Sequence, residues 1–496
     1  MIEPRGTALP PLARLRTLLL VNRHWEQVVF KNVVWAALAE AVVRALKLAI
    51  LPLIARAFGP AEFGKFAFAY SFASLFNIVF DAGLATTTTR ELAAASQNEA
   101  LLPDILLMKL LLGVLGTAAI VLGMLLVTPD PMIRAMIVVL GVAFFILEYV
   151  NLSLSVFRAQ QRMEYEFAVR VAQAGFLVAA VAVAVWRAPS VLNVSYAYLI
   201  STVLTLALVA VATRGRLVRI RTWVQAAAWR RILRIAVPLA LASGATTAYM
   251  NFDSILLGSL GRLTDTGWYN LAARIVGILL VPSTLVALVI FPAFTSTASE
   301  IDARFRERWE RWSVGMIALG TYLACIVFAT AGPLVRLIFG PAFAPTAAAL
   351  RIMLIAVAMI FVYTPSFQAM IVFDRQRTLF WSLFVGAAVN VLLNVWWIPT
   401  YGLYGAAWAT VATHAVLLCE LVVLAQRQTP VRPLSGPVAA GLASAAASAA
   451  LAYAAITLTH ANLWLAVPLG SVVFAGTLFG LDRSNATPAR GLLTRW

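Results

Sequence analysis

The chain has 496 residues, 62% of them hydrophobic and only 12% charged, with a mean hydropathy of +0.89. Soluble domains carry about 25% charged residues, so this composition excludes a soluble globular enzyme and a disordered chain. The formal net charge is +17, but the basic residues sit in short segments between apolar stretches, as the positive-inside rule expects, and do not form a nucleic-acid footprint.

The apolar stretches match the length of a spanning helix, about 17–25 residues, and lack the alternating pattern, about ten residues long, of barrel strands. The expected fold is an all-α polytopic membrane protein with about 14 transmembrane helices. Two parallel six-helix repeats surround a central cavity, and two helices follow at the C-terminal end. Residues 1–30 hold Arg5, Arg14, Arg16 and Arg23 without a signal-peptide pattern and read as a cytoplasmic interfacial segment. The first lobe is expected over 31–212, with spans at 33–56, 63–86, 103–127, 132–157, 165–186 and 191–212.

Residues 213–231, with Leu217, Ile220, Val224 and Ala227 at helical spacing among arginines, read as a cytoplasmic amphipathic linker. The second lobe is expected over 232–426, with spans at 233–258, 268–294, 313–335, 347–373, 379–398 and 403–425. Two further spans occupy 427–482 and a cytoplasmic tail 483–496. Turn-like clusters separate the spans: Gly59-Pro60, residues 128–131, 188–190 and 399–402.

With the N-terminus inside, the inner loops collect Arg158, Arg162, Arg214, Arg216, Arg219, Arg230, Arg304, Arg308, Arg375, Arg377 and Arg427. The opposite loops hold little beyond Arg56, Arg187, Arg262 and Arg336. This alternation supports an even number of spans with both termini in the cytoplasm.

An internal repeat is visible. Gly59, Glu62 and Gly64 before Phe66 parallel Gly261, Asp265 and Gly267 before Tyr269. A weaker pair joins residues 194–198 to 403–408, so the offset is about 200–210 residues. Six spans per half give both halves the same orientation, one of the known transporter plans.

Charges inside a bilayer cost on the order of 2.5–3.5 kcal/mol on insertion scales, so they face a partner or a wet cavity. Glu40, Arg44 and Lys47 share one helix face at i, i+4 and i+7. Glu40 can pair with Arg44, which leaves Lys47 as a positive surplus. This face reads either as an anion site or as part of a salt-bridge network. Asp253 and Arg274 fall at similar depth; they pair with each other, or Arg274 joins the anion site and Asp253 becomes an ion or proton carboxylate. Asp81, Lys109, Glu148 and Arg170 lie nearer the inner ends, where snorkelling or capping explains them. The candidate anion-binding residues are therefore Arg44, Lys47 and Arg274. The candidate carboxylates for coupling or charge balance are Glu40, Asp81, Glu148 and Asp253. His414 reads as a packing histidine, and Pro52, Pro238, Pro282 and Pro365 interrupt their spans. No phosphate-binding nucleotide loop, metal pattern or disulfide pattern occurs, so no cofactor or metal is implied.

Three segments carry a resemblance. They are residues 48–92, with Ala55-Arg56 through Gly59 to Phe66 and then Asp81 to Leu92; residues 253–258 with 267–273; and Val389 to Asn394 with Ile398 to Thr410. In this order they resemble the Wzx-type polysaccharide-biosynthesis flippases of the multidrug/oligosaccharidyl-lipid/polysaccharide superfamily. The resemblance implies translocation of an undecaprenyl-pyrophosphate-linked oligosaccharide from the inner to the outer leaflet by alternating access. It implies no enzyme activity, and it suggests the polymerase and chain-length proteins of the same pathway as partners. In such flippases spans one, two, seven and eight line the cavity, and Arg44, Lys47 and Arg274 lie on matching spans. A drug or cation antiporter of the same superfamily would favour a strongly acidic cavity. A membrane polymerase or ligase would favour a long outer loop, and the loops here are short. A flippase for the peptidoglycan precursor is hardly separated from the first reading by sequence.

Overall fold

In the computed structural model, the described residues are 25–94, 102–213, 226–297, 301–459 and 462–485. The predicted interfacial segment before residue 25, the arginine-rich core of the linker at 214–225 and the tail beyond 485 lie outside them. All regular structure among the described residues is helical.

The chain enters as α1 (Trp25–Leu75), whose helix is broken at Gly59 (φ 72°, ψ 177°). Pro60 follows as the first residue of the next helical stretch, the position where a missing N–H costs nothing. Two short pieces, α2 (Asn77–Asp81) and α3 (Leu84–Ala94), continue the second crossing across a break at Ala82 and Gly83. Then come α4 (Leu102–Val127), α5 (Pro131–Ala159), α6 (Met163–Arg187) and α7 (Val191–Ala212). Helix α8 is Ala226–Ser259; α9 (Leu263–Leu279) and α10 (Val281–Thr295) share one crossing. Helices α11 (Ala303–Phe339), α12 (Ala344–Val372), α13 (Gln376–Tyr401), α14 (Leu403–Gln428), α15 (Gly436–Leu458) and α16 (Leu463–Asn485) complete the chain. Fourteen of these helices are long, and among the described residues eleven candidate spans, one of them running across α9 and α10 (Leu263–Ala287), are long and apolar enough to cross a membrane.

Local chemistry sets the boundaries. Asp130 caps α5, accepting from Met132 N at 2.8 Å and Ile133 N at 3.2 Å, with Pro131 behind it. Ser190 caps α7 through Leu192 N, and Asp302 caps α11 through Phe305 N at 2.6 Å. The α11 cap lies well before the predicted span start, because the Arg304–Arg311 stretch is helical and amphipathic and not a loop. The predicted eighth span divides at Leu280, where Pro282 removes a backbone donor. The predicted turn at 399–402 is shorter than expected: α13 runs through Pro399 to Tyr401, and the chain reverses at Gly402 (φ 54°). Arg262 and Asp265 hold that reversal, with Arg262 Nη2 donating to Pro399 O at 2.6 Å and Leu403 N to Asp265 Oδ2 at 3.4 Å.

The described chain forms two compact units. Unit 1 is Met1–Phe58 with Lys65–Asn251, and unit 2 is Gly59–Gly64 with Phe252–Trp496. In unit 1 a buried cluster of Leu84, Ile105, Leu106, Met108, Tyr149, Leu152, Ile232 and Ala236 joins α3, α4, α5 and α8. In unit 2, α11, α12, α13 and α14 pack side by side, and α15 and α16 pack on α11. Lipid tails are as apolar as leucine, so close van der Waals fit rather than water exclusion holds such helices together.

The repeat seen in sequence has a physical purpose within unit 2. A Cβ built on Gly64 would lie 1.7 Å from Leu263 O, and one on Gly267 would lie 2.2 Å from Pro60 O. Each repeat copy thus leans its backbone on the other through a glycine. Gly64→Ala is expected to destabilise the purified protein by about 1–3 kcal/mol, read as a lowered melting temperature in detergent. Gly175→Ala, whose Cβ would have nothing within 4 Å, serves as the unchanged control. Equal melting of both variants would contradict this packing.

Candidate functional site

In unit 1 the face predicted on the first span is built as a chain of ion pairs. Arg44 Nε pairs with Glu40 Oε1. Glu40 Oε2 is 3.7 Å from Arg170 Nη1, and Arg170 Nε is 2.9 Å from Glu166 Oε1. Glu166 Oε2 in turn receives Arg158 Nε at 2.8 Å. Three arginines meet two glutamates, so the network keeps one positive charge. Lys47 has no ion-pair partner among the described residues and is exposed, which makes the local surplus two. Of the two readings left open by the sequence, the salt-bridge network is present, and it is net positive. Arg44 is 45% exposed and Glu40 40%, so their heads lie outside the packed interior of unit 1.

Asp81 and Glu148 come together on a residue that sequence reasoning set aside. Lys109 Nζ lies 3.0 Å from Asp81 Oδ1 and 3.2 Å from Glu148 Oε2. Lys109 is fully buried, so it does not snorkel: the two carboxylates supply inside the protein what water supplies at the interface. Asn151 Nδ2 donates to Glu148 Oε1 at 2.9 Å, and Asp81 Oδ1 also accepts from Ala85 N at 3.1 Å, capping α3 after the helix break. Asp81 therefore caps, as expected, and pairs as well.

In unit 2, Asp253 is buried on α8 and is held by neutral donors. The Tyr269 hydroxyl donates to Asp253 Oδ2 and the Asn394 amide to Asp253 Oδ1. Asn394 Nδ2 also donates to Asn390 Oδ1 at 3.0 Å, Asn390 Nδ2 to Thr413 Oγ1 at 3.2 Å, and Tyr269 OH lies 3.3 Å from Thr410 Oγ1. No ion pair of the described residues includes Asp253. Arg274 Nε reaches Asn270 Oδ1 at 3.4 Å, and Asn270 Nδ2 reaches Ser254 Oγ at 3.3 Å. A carboxylate ringed by amide and hydroxyl groups can take up a proton or a small cation without breaking a salt bridge. Asn390, Asn394, Tyr269 and Thr410 went unremarked as site residues in the sequence. The signal was present: two asparagines at i and i+4 inside an apolar span are costly unless they have buried partners. His414 has a partner too, its Nδ1 lying 3.2 Å from the Tyr363 hydroxyl.

This fold is shared with solved multi-span membrane proteins. It matches a lipid II flippase MurJ in its inward closed conformation with a TM-score of 0.74 at 12% identity, covering 92% of this chain and 100% of that one. It matches an inward-facing multidrug resistance MATE family transporter of the MOP superfamily with a TM-score of 0.60 at 15% identity, covering 79% of this chain and 98% of that one. A MOP superfamily transporter from Pyrococcus furiosus matches with a TM-score of 0.54 at 13% identity, covering 88% of this chain and 97% of that one. No curated protein matches the chain in sequence. The chain belongs to the polysaccharide biosynthesis protein family, whose model matches residues 29–298.

Proposed function

We propose that this protein moves an undecaprenyl-pyrophosphate-linked oligosaccharide from the cytoplasmic to the outer leaflet of the inner membrane, for surface polysaccharide assembly. The observation that carries the reading is the net-positive network around α1, where Arg44, Arg158, Arg170 and Lys47 exceed Glu40 and Glu166 by two charges. A half-exposed arginine in a spanning helix is costly against lipid and favoured against water or an anion. A diphosphate with attached sugars is too polar for hydrocarbon and needs a wet, basic surface, while its lipid tail stays in the bilayer. Arginine suits phosphate through its planar fork, and Lys47 adds a point charge. Arg274 is the corresponding anion ligand in unit 2.

Membership in a polysaccharide-biosynthesis family and the positive face, which would repel cationic substrates, support this reading over a drug antiporter, whose fold is shared. Asp253 is the coupling carboxylate. Each charge moved through 100 mV contributes about 2.3 kcal/mol. Glu40, Asp81 and Glu148 balance basic partners in unit 1.

Arg44→Ala and Arg274→Ala are each expected to lower surface polysaccharide at least tenfold at unchanged protein level. That matches loss of one charge-assisted hydrogen bond, about 1.5–3 kcal/mol. Polymer quantified on complemented deletion cells checks this, with membrane protein measured in parallel. Wild-type export from both variants would remove the anion site.

A further inference from the structure

Below Asp253, helices α13 and α14 face each other with polar groups at every level but one. On α13 the residues Asn394, Asn390, Gly386 and Ser382 recur every fourth position. On α14, Thr410, Thr413, Leu417 and Glu420 follow at spacings of three, four and three. Both patterns keep one helix face. The Asn390–Thr413 bond fixes the register of the pair. One turn further, a Cβ on Gly386 would lie 2.7 Å from Leu417 Cδ2, so the leucine fills the space the glycine leaves. One turn beyond that come Ser382 and Glu420.

Three atoms along this seam are buried and lack a hydrogen-bond partner among the described residues: Asn394 Oδ1, Ser382 Oγ and Glu420 Oε2. Other hydroxyls nearby behave differently: Thr410, Thr413 and Thr364 each donate back to the carbonyl four residues earlier. Buried polar atoms without protein partners are generally satisfied by internal water. Two of these three atoms lie on one side of Leu417 and one on the other. The seam from Asn394 to Ser382 spans twelve residues, about 18 Å of helix. It ends toward the arginine-bearing end, where Arg375 Nε donates to Gln428 O at 3.2 Å.

We propose that the α13–α14 seam is a water-mediated proton path between Glu420 and Asp253, closed by Leu417 against Gly386. The proposal rests on Asp253 as the coupling carboxylate and adds how that buried group reaches one side of the membrane. A proton from water on the Glu420 side protonates that carboxylate. Glu420 passes one proton to the water beyond Leu417 when the leucine moves, and the Asp253 carboxylate takes one up and releases it to the opposite side later in the cycle, so each cycle moves one proton across and nothing else. A single apolar constriction gates such a path by excluding water. The titratable and charged groups on the helices packed against α14 are Arg351 and Tyr363 on α12, Arg377 and Tyr401 on α13, and Asp265, Tyr269 and Arg274 on α9. Tyr404, His414, Cys419 and Arg427 lie on α14 itself.

The test uses the purified full chain in sealed vesicles with an entrapped pH dye, driven by a potassium diffusion potential. Leu417→Ala is expected to raise proton flux at least fivefold over the unsubstituted protein. Adding Glu420→Gln or Asp253→Asn is expected to return it to the protein-free rate. Should Leu417→Ala not survive reconstitution, Leu417→Val and Glu420→Gln alone decide, by raising and lowering the basal flux respectively. Unchanged flux in the leucine variants, or raised flux indifferent to Glu420→Gln, overturns the path. Loss of substrate transport in Asp253→Asn with flux indifferent to Glu420→Gln would sink the path alone. Normal substrate transport in Asp253→Asn would sink the coupling role.

Discussion

Lys109→Met is expected to remove most of the folded protein from the membrane. Lys109 is fully buried and its ammonium is shared by Asp81 on α2 at 3.0 Å and Glu148 on α5 at 3.2 Å. Truncation leaves two carboxylates facing each other with no cation between them. Breaking a buried pair by removing one partner costs about 3–5 kcal/mol, and here two partners are orphaned at once. The loss falls where the second crossing is already interrupted, at Ala82 and Gly83, so the ionic tie to α4 and α5 is lost there and the apolar packing remains. Fluorescence-detected size exclusion after a heating series reads the effect. The triple variant Lys109→Met, Asp81→Asn, Glu148→Gln is expected to recover much of the stability, because it removes the charges together and keeps the shapes. A Lys109→Met protein melting like the parent would show that the triad contributes nothing to folding.

Asp253→Asn is expected to abolish transport, by a hundredfold or more, while leaving the fold intact. The amide keeps the size of the carboxylate and can still meet Tyr269 OH and Asn394, but it carries no charge to be neutralised in a cycle. Asp253→Ala differs in kind. It strips partners from two buried donors, each costing about 1–3 kcal/mol when left unsatisfied, so it loses stability as well as transport. Melting temperature and transport measured on both variants separate the two effects. Transport retained in Asp253→Asn would show that the carboxylate is a packing group.

Much of this molecule is legible from its residues because lipid enforces long apolar stretches and leaves little freedom in how they are drawn. The long apolar helices and the loops at Asp130 and Ser190 follow from that. The Gly59/Gly64 and Gly261/Gly267 repeat was readable as a pattern, while its purpose, two backbones resting on each other's glycines, needed coordinates. The helical stretch at Arg304–Arg311 was hidden because its charge looks like a loop when amphipathicity is not weighed. Lys109 was misjudged for a different reason. Sequence fixes how deep a charge lies, but not which way its helix turns, and the pairing with Asp81 and Glu148 depends on the rotation of three helices. Asn390 and Asn394 were readable in principle, since two amides in an apolar span demand buried partners. The identity of those partners, on α8 and α14, is a matter of tertiary packing.

The most direct measurement of the central claim is the leaflet position of the lipid-linked oligosaccharide in cells lacking this protein. Complete repeat units accumulating on the cytoplasmic side, with surface polymer absent and both defects reversed by the intact chain, are the predicted result. Units exposed at the normal level on the outer leaflet of those cells would contradict the account.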